Sequence, residues 1–407
     1  MAYCSSAKVL LLLGFGGAVA FAAQAAEVPG THFDVSPNSL PQPFATPAVE
    51  NSSRVVARPA DAIPQAPKGF SVSIFASGLS GPRWMAVAPN GDVFLAEPDA
   101  NKITLLRDGG GGKQATVSTF ATGFNKPHGL AFHDGALYVG DVDAVWRIAY
   151  SDGALTGGKR ERITKQHDLG IGGHFTRDIA FAPDGTLYLA IGSNENVGDS
   201  DPPFRAAVNT VNPDGTLSQF ATGIRNPVGI AFYPGSDTAW VSVNERDGLG
   251  DGLVPDYLTH VDKGAFYGWP YAYSGTHPDP TFGAKKPEMV AKAKTPDVLF
   301  QSHSAPTGLV FYEGNQFPAE YKGDAFVSLH GSWNSSKPTG YKVVRVHFAG
   351  GKPVGGYDNF VTGFHVGDTS PAQVWGRPAG LAVAKDGSLL IADDAGKTVW
   401  KVTYTGK

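Results

Sequence analysis

Cysteine is all but missing: Cys4 is the single one in 407 residues. Downstream of it the chain can build no disulfide, thiol nucleophile, Cys-ligated zinc or covalently attached c-type haem. Charge is scarce as well. Asp, Glu, Lys and Arg make up 17% of the residues and the formal net charge is −4, so no basic excess marks a nucleic-acid partner. No amphipathic helical stretch separates the apolar strands, which disfavours a doubly wound α/β fold. The long apolar run, Val9 to Ala23, falls short of the roughly 20 residues that span a membrane, and no second one follows.

What is present begins with export. Lys8 supplies a positive region, the apolar run follows, and Ala23, Gln24 and Ala25 form a small-x-small cleavage site. Residues 1–26 therefore read as a secretory signal cut after Ala25 or Ala26, for a periplasmic or secreted protein without a membrane span. Loss of Lys8 takes the net charge from −4 to −5. Residues 27–68, rich in Pro, Ala, Ser and Asn, read as an extended arm or linker with no catalytic role. The chain's 407 residues are more than one small core needs, which calls for two domains or one large closed β architecture, with residues 69–407 as the folded domain.

A hairpin then recurs six times: "GPRWMAVAPNGDVFLAE", "KPHGLAFHDGALYVGD", "GGHFTRDIAFAPDGTLYLAIGS", "RNPVGIAFYPGSDTAWVSVNE", "APTGLVFYEGNQFPAEYKGDAFVSLH" and "GRPAGLAVAKDGSLLIADD". Each is a short apolar strand, a turn that usually contains Gly, and a second strand of aromatic and β-branched residues. Segments such as "KITLLRD" and "TVWKVTY" supply outer strands. One such unit cannot bury both of its faces, so the repeat predicts an all-β fold, a six-bladed β-propeller of four-stranded antiparallel blades. Seven blades are expected only if the stretch between Asp247 and Gln301 hides one. "GFSVSIFASG", from Gly69, would close the ring beside "TVWKVTY".

In a hairpin, the residues entering strand one and leaving strand two share one end. If these strands are the inner pair of every blade, one mouth of the channel collects both sets. Entering residues are Arg83, His128, His174, Arg177, Arg225, Asn226 and Arg377; leaving residues are Glu97, Asp141, Asn194, Glu245, Arg246, Asp247, His330 and Asp393. Any one of these can be a structural tie between blades. As a set they form a multiply cationic basin suited to a ligand with several carboxylates or phosphates, for which Arg offers a planar fork.

At "GGHFTRDIAF", "GIRNPVGIAF", "NERDGLGD", "FYGWPY" and "HGSWN" the chain resembles the soluble quinoprotein sugar dehydrogenases, the glucose/sorbosone dehydrogenase family, from about Gly69 onward. The resemblance implies pyrroloquinoline quinone (PQQ) held over Ca2+ at one mouth. It implies His174 as the general base that takes the hydroxyl proton while the carbon-bound hydrogen leaves as hydride to the quinone. Cofactor contacts would come from Arg225, Asn226 and Arg377, with His330 and Lys337 matching a basic contact region; ring position adds His128 and Arg177. Calcium would take Asp247 and the carbonyl of Asp247 or Gly248. Gly248, Gly252, Ser335 and Ala379 depart from the family pattern. A sugar is the implied substrate and, with no haem-attachment sequence, a separate electron acceptor the implied partner. Trp269, Tyr271, Tyr273 and Trp333 offer sugar-stacking surfaces or packing between blades. Two other readings stand beside this one: a calcium-dependent lactonase built on Glu97, Asp141, Asn194 and Glu245, and a non-catalytic ligand-binding propeller.

Overall fold

The computed structural model describes residues 28–165, 169–170 and 172–406; the expected signal over residues 1–26 lies outside them. Six sheets of sequence-adjacent antiparallel strands make up the blades. Their innermost strands are Met85–Val87, Leu130–His133, Arg177–Phe181, Asn226–Phe232, Pro306–Phe311 and Pro378–Val383, one for each quoted hairpin. Between Asp247 and Gln301 the described chain forms no seventh blade. It supplies Pro255–His260, the small hairpin Ala272–Tyr273/His277–Pro278, a one-turn helix and the outer strand Val298–Ser302 of the fourth blade.

The ring closes by mixing its two ends. Phe70–Ser77 pairs with Thr398–Tyr404 as the outer strand of the sixth blade, from Phe70 opposite Tyr404 to Ser77 opposite Thr398. Each blade-to-blade interface then buries its own apolar cluster. Phe94, Phe120 and Leu137 lie between the first and second blades, and Val241, Tyr257 and Tyr188 between the third and fourth. Deleting a fully buried ring such as that of Phe94 costs about 3–5 kcal/mol.

The repeated Gly of "HGLAF", "VGIAF", "TGLVF" and "AGLAV" explains how the inner strands meet. A Cβ on Gly129, Gly229, Gly308 or Gly380 would strike the backbone of the next blade's inner strand, at Arg177 and Asp178, Thr307, Ala379 and Arg83 respectively. Two blades depart from this rule and carry Trp84 and Asp178 instead. Those side chains project into the channel, where they line a cavity of about 300 Å³ with the inner strands. Trp84 lies 4.1 Å from the His128 ring, and Asp178 accepts the backbone N–H groups of Ile230 and Ile179. Burial pushes the Asp178 carboxyl up to about 8.

The arm is no free linker. His32–Phe33 adds a fifth strand to the fifth blade, opposite Tyr357 and Asp358. Arg54–Val55 pairs in parallel with Gln373–Val374, and Gln65 bridges Thr362. Between these points the arm crosses the loops that border the mouth.

Candidate functional site

His174 is held from every side but one. Its backbone N–H donates to Ser193 O, and its backbone oxygen accepts from Arg177 Nη1 at 2.8 Å and Arg205 Nη2 at 3.1 Å. Nδ1 lies 2.8 Å from Ser193 O. A carbonyl can only accept, so Nδ1 carries the proton and Nε2 keeps its lone pair. Nε2 has no hydrogen-bond partner among the described residues. Gly192 makes the arrangement possible, because a side chain there would collide with the Asn226 amide and the His174 Cβ. Burial, with Arg225 and Arg205 nearby, pushes the His174 imidazole down to about 4.

Arg177 is therefore a clamp. Its two terminal nitrogens satisfy four backbone oxygens, those of His174, Thr176, Leu169 and Gly170, while buried Nε has no partner among the described residues. Burial and the Arg205 charge pull its pKa down to about 9. Arg225 is engaged more completely still. Its five N–H groups reach Asn196 O and Oδ1, Asn244 O, Glu245 O and the Asp247 carboxylate. It ties the third blade's mouth loop to the fourth's and leaves no donor over.

The other cations continue around the opening. His128 is fully buried against Trp84 and Phe175, and both ring nitrogens lack a partner among the described residues. Burial first, then Arg83 and Arg177, keep it neutral. Arg83 Nη1 donates to Asp394 at 2.6 Å, and His330 Nε2 sits 2.8 Å from the same carboxylate. Arg377 donates from Nε to His330 O and from Nη2 to Gly331 O. Its Nη1 has no bond to the described protein. Arg377, Arg83, Asp394, Phe175 and Val55 line a cavity of about 270 Å³. Asn226 accepts weakly from Thr176, leaving its amide N–H groups without an acceptor among the described residues. Lys337 stands on an exposed loop, with its carbonyl accepting the Ser335 hydroxyl. An electrostatic circuit thus runs from Asp247 through Arg225, His174, Arg177, His128 and Arg83 to His330 and Arg377.

The loop expected to hold calcium is closed by cations. Asp247 O accepts from Arg246 Nε, Arg246 Nη2 and Asn196 Nδ2 at 3.1–3.2 Å. Its carboxylate receives Asn334 at 2.6 Å and Arg225 at 3.3 Å. Arg246 is fixed in turn by buried Asp279 at 2.5 Å. Gly248 adds a left-handed turn, φ +94°, and the described residues include no cluster of three acidic, His or Cys side chains fit for a metal. A divalent cation on Asp247 would face a guanidinium bonded to the same oxygen, so this arrangement does not fit calcium. Of the two glycine departures, Gly252 has a local cause, since the arm's Pro41 occupies the space beside it, whereas beside Gly248 a side chain would meet only Arg246 Nη2, at 3.7 Å. Ala379 is fully buried, its carbonyl accepting the Thr307 and Ser328 hydroxyls.

The leaving-position acids are staples within blades. Asp141 accepts three backbone N–H groups and the Trp146 indole; Asp393 does the same for Arg377 N, Gly396 N and the Trp400 indole. Glu97 is bonded to Ser80, Thr104 and Lys102. Asn194 donates its N–H to Asp201, and Glu245 accepts from Arg246 N. Glu97 and Asp141 of the lactonase reading are thus bound locally, whereas buried Glu245 keeps Oε1 without a partner among the described residues. Trp269 donates its indole N–H to Asn196 O and is buried with Tyr271 and Tyr273, while Trp333 is 44% exposed. Sequence reasoning missed Ser193, Arg205, Asn196, Asn334 and Asp394. Ser193 and Asp394 stand beside named positions and Asn334 closes the quoted "HGSWN", whereas Arg205 and Asn196 carried no signal.

Fold and site define a six-bladed propeller with a cationic mouth and a neutral imidazole at its edge. Residues 131–332 match the family model described as Glucose / Sorbosone dehydrogenase, and residues 279–405 the TrAA12-like model. Over residues 131–332 the chain carries the Glucose / Sorbosone dehydrogenase domain. An uncharacterized protein of Borreliella burgdorferi is 27% identical, covering 90% of this chain and 98% of its own. The pyrroloquinoline quinone-dependent pyranose dehydrogenase of Coprinopsis cinerea is 26% identical over 68% of this chain and 44% of its own. The solved holo form of that pyranose dehydrogenase's PQQ domain superposes with a TM-score of 0.71 at 19% identity, covering 86% of this chain and 99% of the other.

Proposed function

We propose that this protein is a periplasmic or secreted PQQ-dependent dehydrogenase of an aldose or related sugar, passing electrons to a separate acceptor. The observation that carries the reading is His174: a tautomer-locked, neutral imidazole whose free Nε2 stands beside a ring of cations. A general base must be unprotonated and within reach of the hydroxyl it serves, and this one meets the first condition well below neutral pH.

The residues fit a polycarboxylate quinone. Buried polar atoms without partners mark where a ligand's polar groups are wanted: neutral His128, with one ring N–H to donate and one ring nitrogen to accept, and the Nε–H of Arg83. Arg377 Nη1 and the Asn226 amide would join them as cofactor contacts, whereas Arg225 and Arg177 act by fixing loops and His174. His330 and Lys337 are lesser candidates, His330 through its hold on Asp394. When bound, PQQ would supply a two-electron acceptor for the hydrogen on the sugar's carbinol carbon. His174 Nε2 would receive the hydroxyl proton, with Ser193 O steadying the imidazolium that forms. The cations of the mouth would stabilise negative charge gained by whatever they hold. No step is assigned to calcium. The name of the pyranose dehydrogenase relative supports the substrate class.

The test is reconstitution of purified protein with PQQ, followed by sugar-dependent loss of quinone absorbance across an aldose panel. PQQ uptake and bleaching by at least one sugar are expected; lactone hydrolysis without PQQ would replace this reading with the hydrolase.

A further inference from the structure

One guanidinium ties together the groups that aim His174. Arg205 donates from Nε to Gly192 O at 3.0 Å, and from Nη2 to His174 O at 3.1 Å and Ser193 O at 3.0 Å. Ser193 O is the carbonyl that accepts the hydrogen bond of His174 Nδ1 at 2.8 Å. Arg177 shares the His174 carbonyl but spends its other bonds on Thr176, Leu169 and Gly170. The acceptor that orients the ring is thus itself bonded to a cation. A carboxylate in that place would favour the imidazolium; a carbonyl drawn towards a guanidinium does the reverse.

The backbone around Arg205 is bent to this end. Phe204 and Ala206, on either side of it, take φ 71° and 49°, where a residue other than glycine is uncommon and a bulky one an outlier. Buried Asn209 holds the bend by donating to Phe204 O at 2.9 Å. Gly170 leaves room for the side chain, since a Cβ there would meet Arg205 Cδ at 3.3 Å. Backbone of this kind persists where its surroundings over-determine it, and it gathers at functional positions. The charged groups that face His174 are Arg225 from the fourth blade and Arg205 and Arg177 from the third; Asp201, on the same loop as Arg205, is the acid that faces the Arg205 guanidinium.

We propose that Arg205 is a positioning residue for the His174 base: its fork fixes the carbonyl that aims the ring, and its charge opposes the ring's protonation. The proposal rests on the dehydrogenase reading. An imidazolium formed here stands beside a guanidinium bonded to the same carbonyl, so the ring returns to its neutral form between turnovers and stays neutral in acid.

Two variants separate charge from fork. The first readout is an NMR titration of ring-labelled histidine in the purified protein, with the His174 signal assigned from its loss in His174→Gln. Wild type should titrate at about 4 with the neutral ring's proton on Nδ1. Arg205→Gln removes the charge and keeps one donor, and should move that midpoint up by about 0.5–1 pH unit. Arg205→Lys keeps the charge but cannot fork across three carbonyls; it should leave the midpoint in place and lower kcat for sugar roughly tenfold or more in the PQQ-loaded protein, at unchanged KM. An unmoved midpoint in Arg205→Gln, or an undiminished kcat in Arg205→Lys, overturns the proposal while PQQ retention and sugar oxidation by wild type leave the function standing. Failure of wild type to retain PQQ after desalting, with the midpoint still moved by Arg205→Gln, overturns the dehydrogenase reading and leaves the hold of Arg205 on the ring intact.

Discussion

Removing the His174 titration should change how stability responds to acid. The folded imidazole sits at about 4, whereas an unfolded one sits near ~6.5. Below pH 6.5 the unfolded chain takes up this proton and the folded chain does not, so wild type loses stability as pH falls from about 6.5 towards 4. Integrated between pH 7 and pH 5, the loss is about 2 kcal/mol. Other groups move in the same interval, Asp178 and Glu245 in the opposite sense because burial raises both. Comparison with His174→Gln cancels them. Urea unfolding of both proteins at the two pH values should show the variant gaining about 2 kcal/mol on wild type at pH 5. The same pKa governs turnover. At pH 5.5 about 97% of His174 is neutral, against about 9% for an ordinary histidine, so kcat/KM should hold roughly tenfold above the ordinary expectation. A pH-independent stability difference, or an acid limb in the rate near 6.5, would refute the reasoning.

Four further outcomes follow from the same geometry. His174→Ala should abolish sugar oxidation while PQQ is still retained, checked by absorbance of the desalted protein. Arg377→Ala should weaken PQQ binding by ~1.5–3 kcal/mol, a factor of about 10–150 in Kd by fluorescence titration. Arg177→Met should cost about 3–5 kcal/mol in thermal or urea unfolding, because four buried backbone oxygens lose their donors. EDTA should leave PQQ uptake unchanged, since Arg246 already caps the Asp247 carbonyl; strict dependence on added Ca2+ would show that the guanidinium yields to the ion.

Much of the fold was legible because the repeat is physical. Gly129, Gly229, Gly308 and Gly380 mark where inner strands touch, and "TVWKVTY" beside "GFSVSIFASG" marks the closure. The convergence of His128, His174, Arg225 and Arg377 follows from hairpin geometry alone. What could not be read was how each guanidinium divides its donors. Arg177 and Arg377 look alike in sequence, yet one ends on four carbonyls and the other keeps a nitrogen free over a cavity. Nor does "ERDGLGD" reveal that Arg246 folds back onto the next residue's carbonyl, a contact that depends on Asp279, 33 residues away. The arm's Pro-rich composition concealed its pairing, because a two-residue parallel strand has no periodicity to detect.

The central claim is that this mouth binds a quinone polycarboxylate beside a neutral imidazole base. Titrating PQQ into the purified protein, with absorbance recorded before and after an aldose is added, tests it most directly. The account predicts one PQQ per chain and sugar-dependent bleaching that His174→Ala prevents. Absence of binding in the presence or absence of Ca2+, or bleaching of equal rate in His174→Ala, would contradict it.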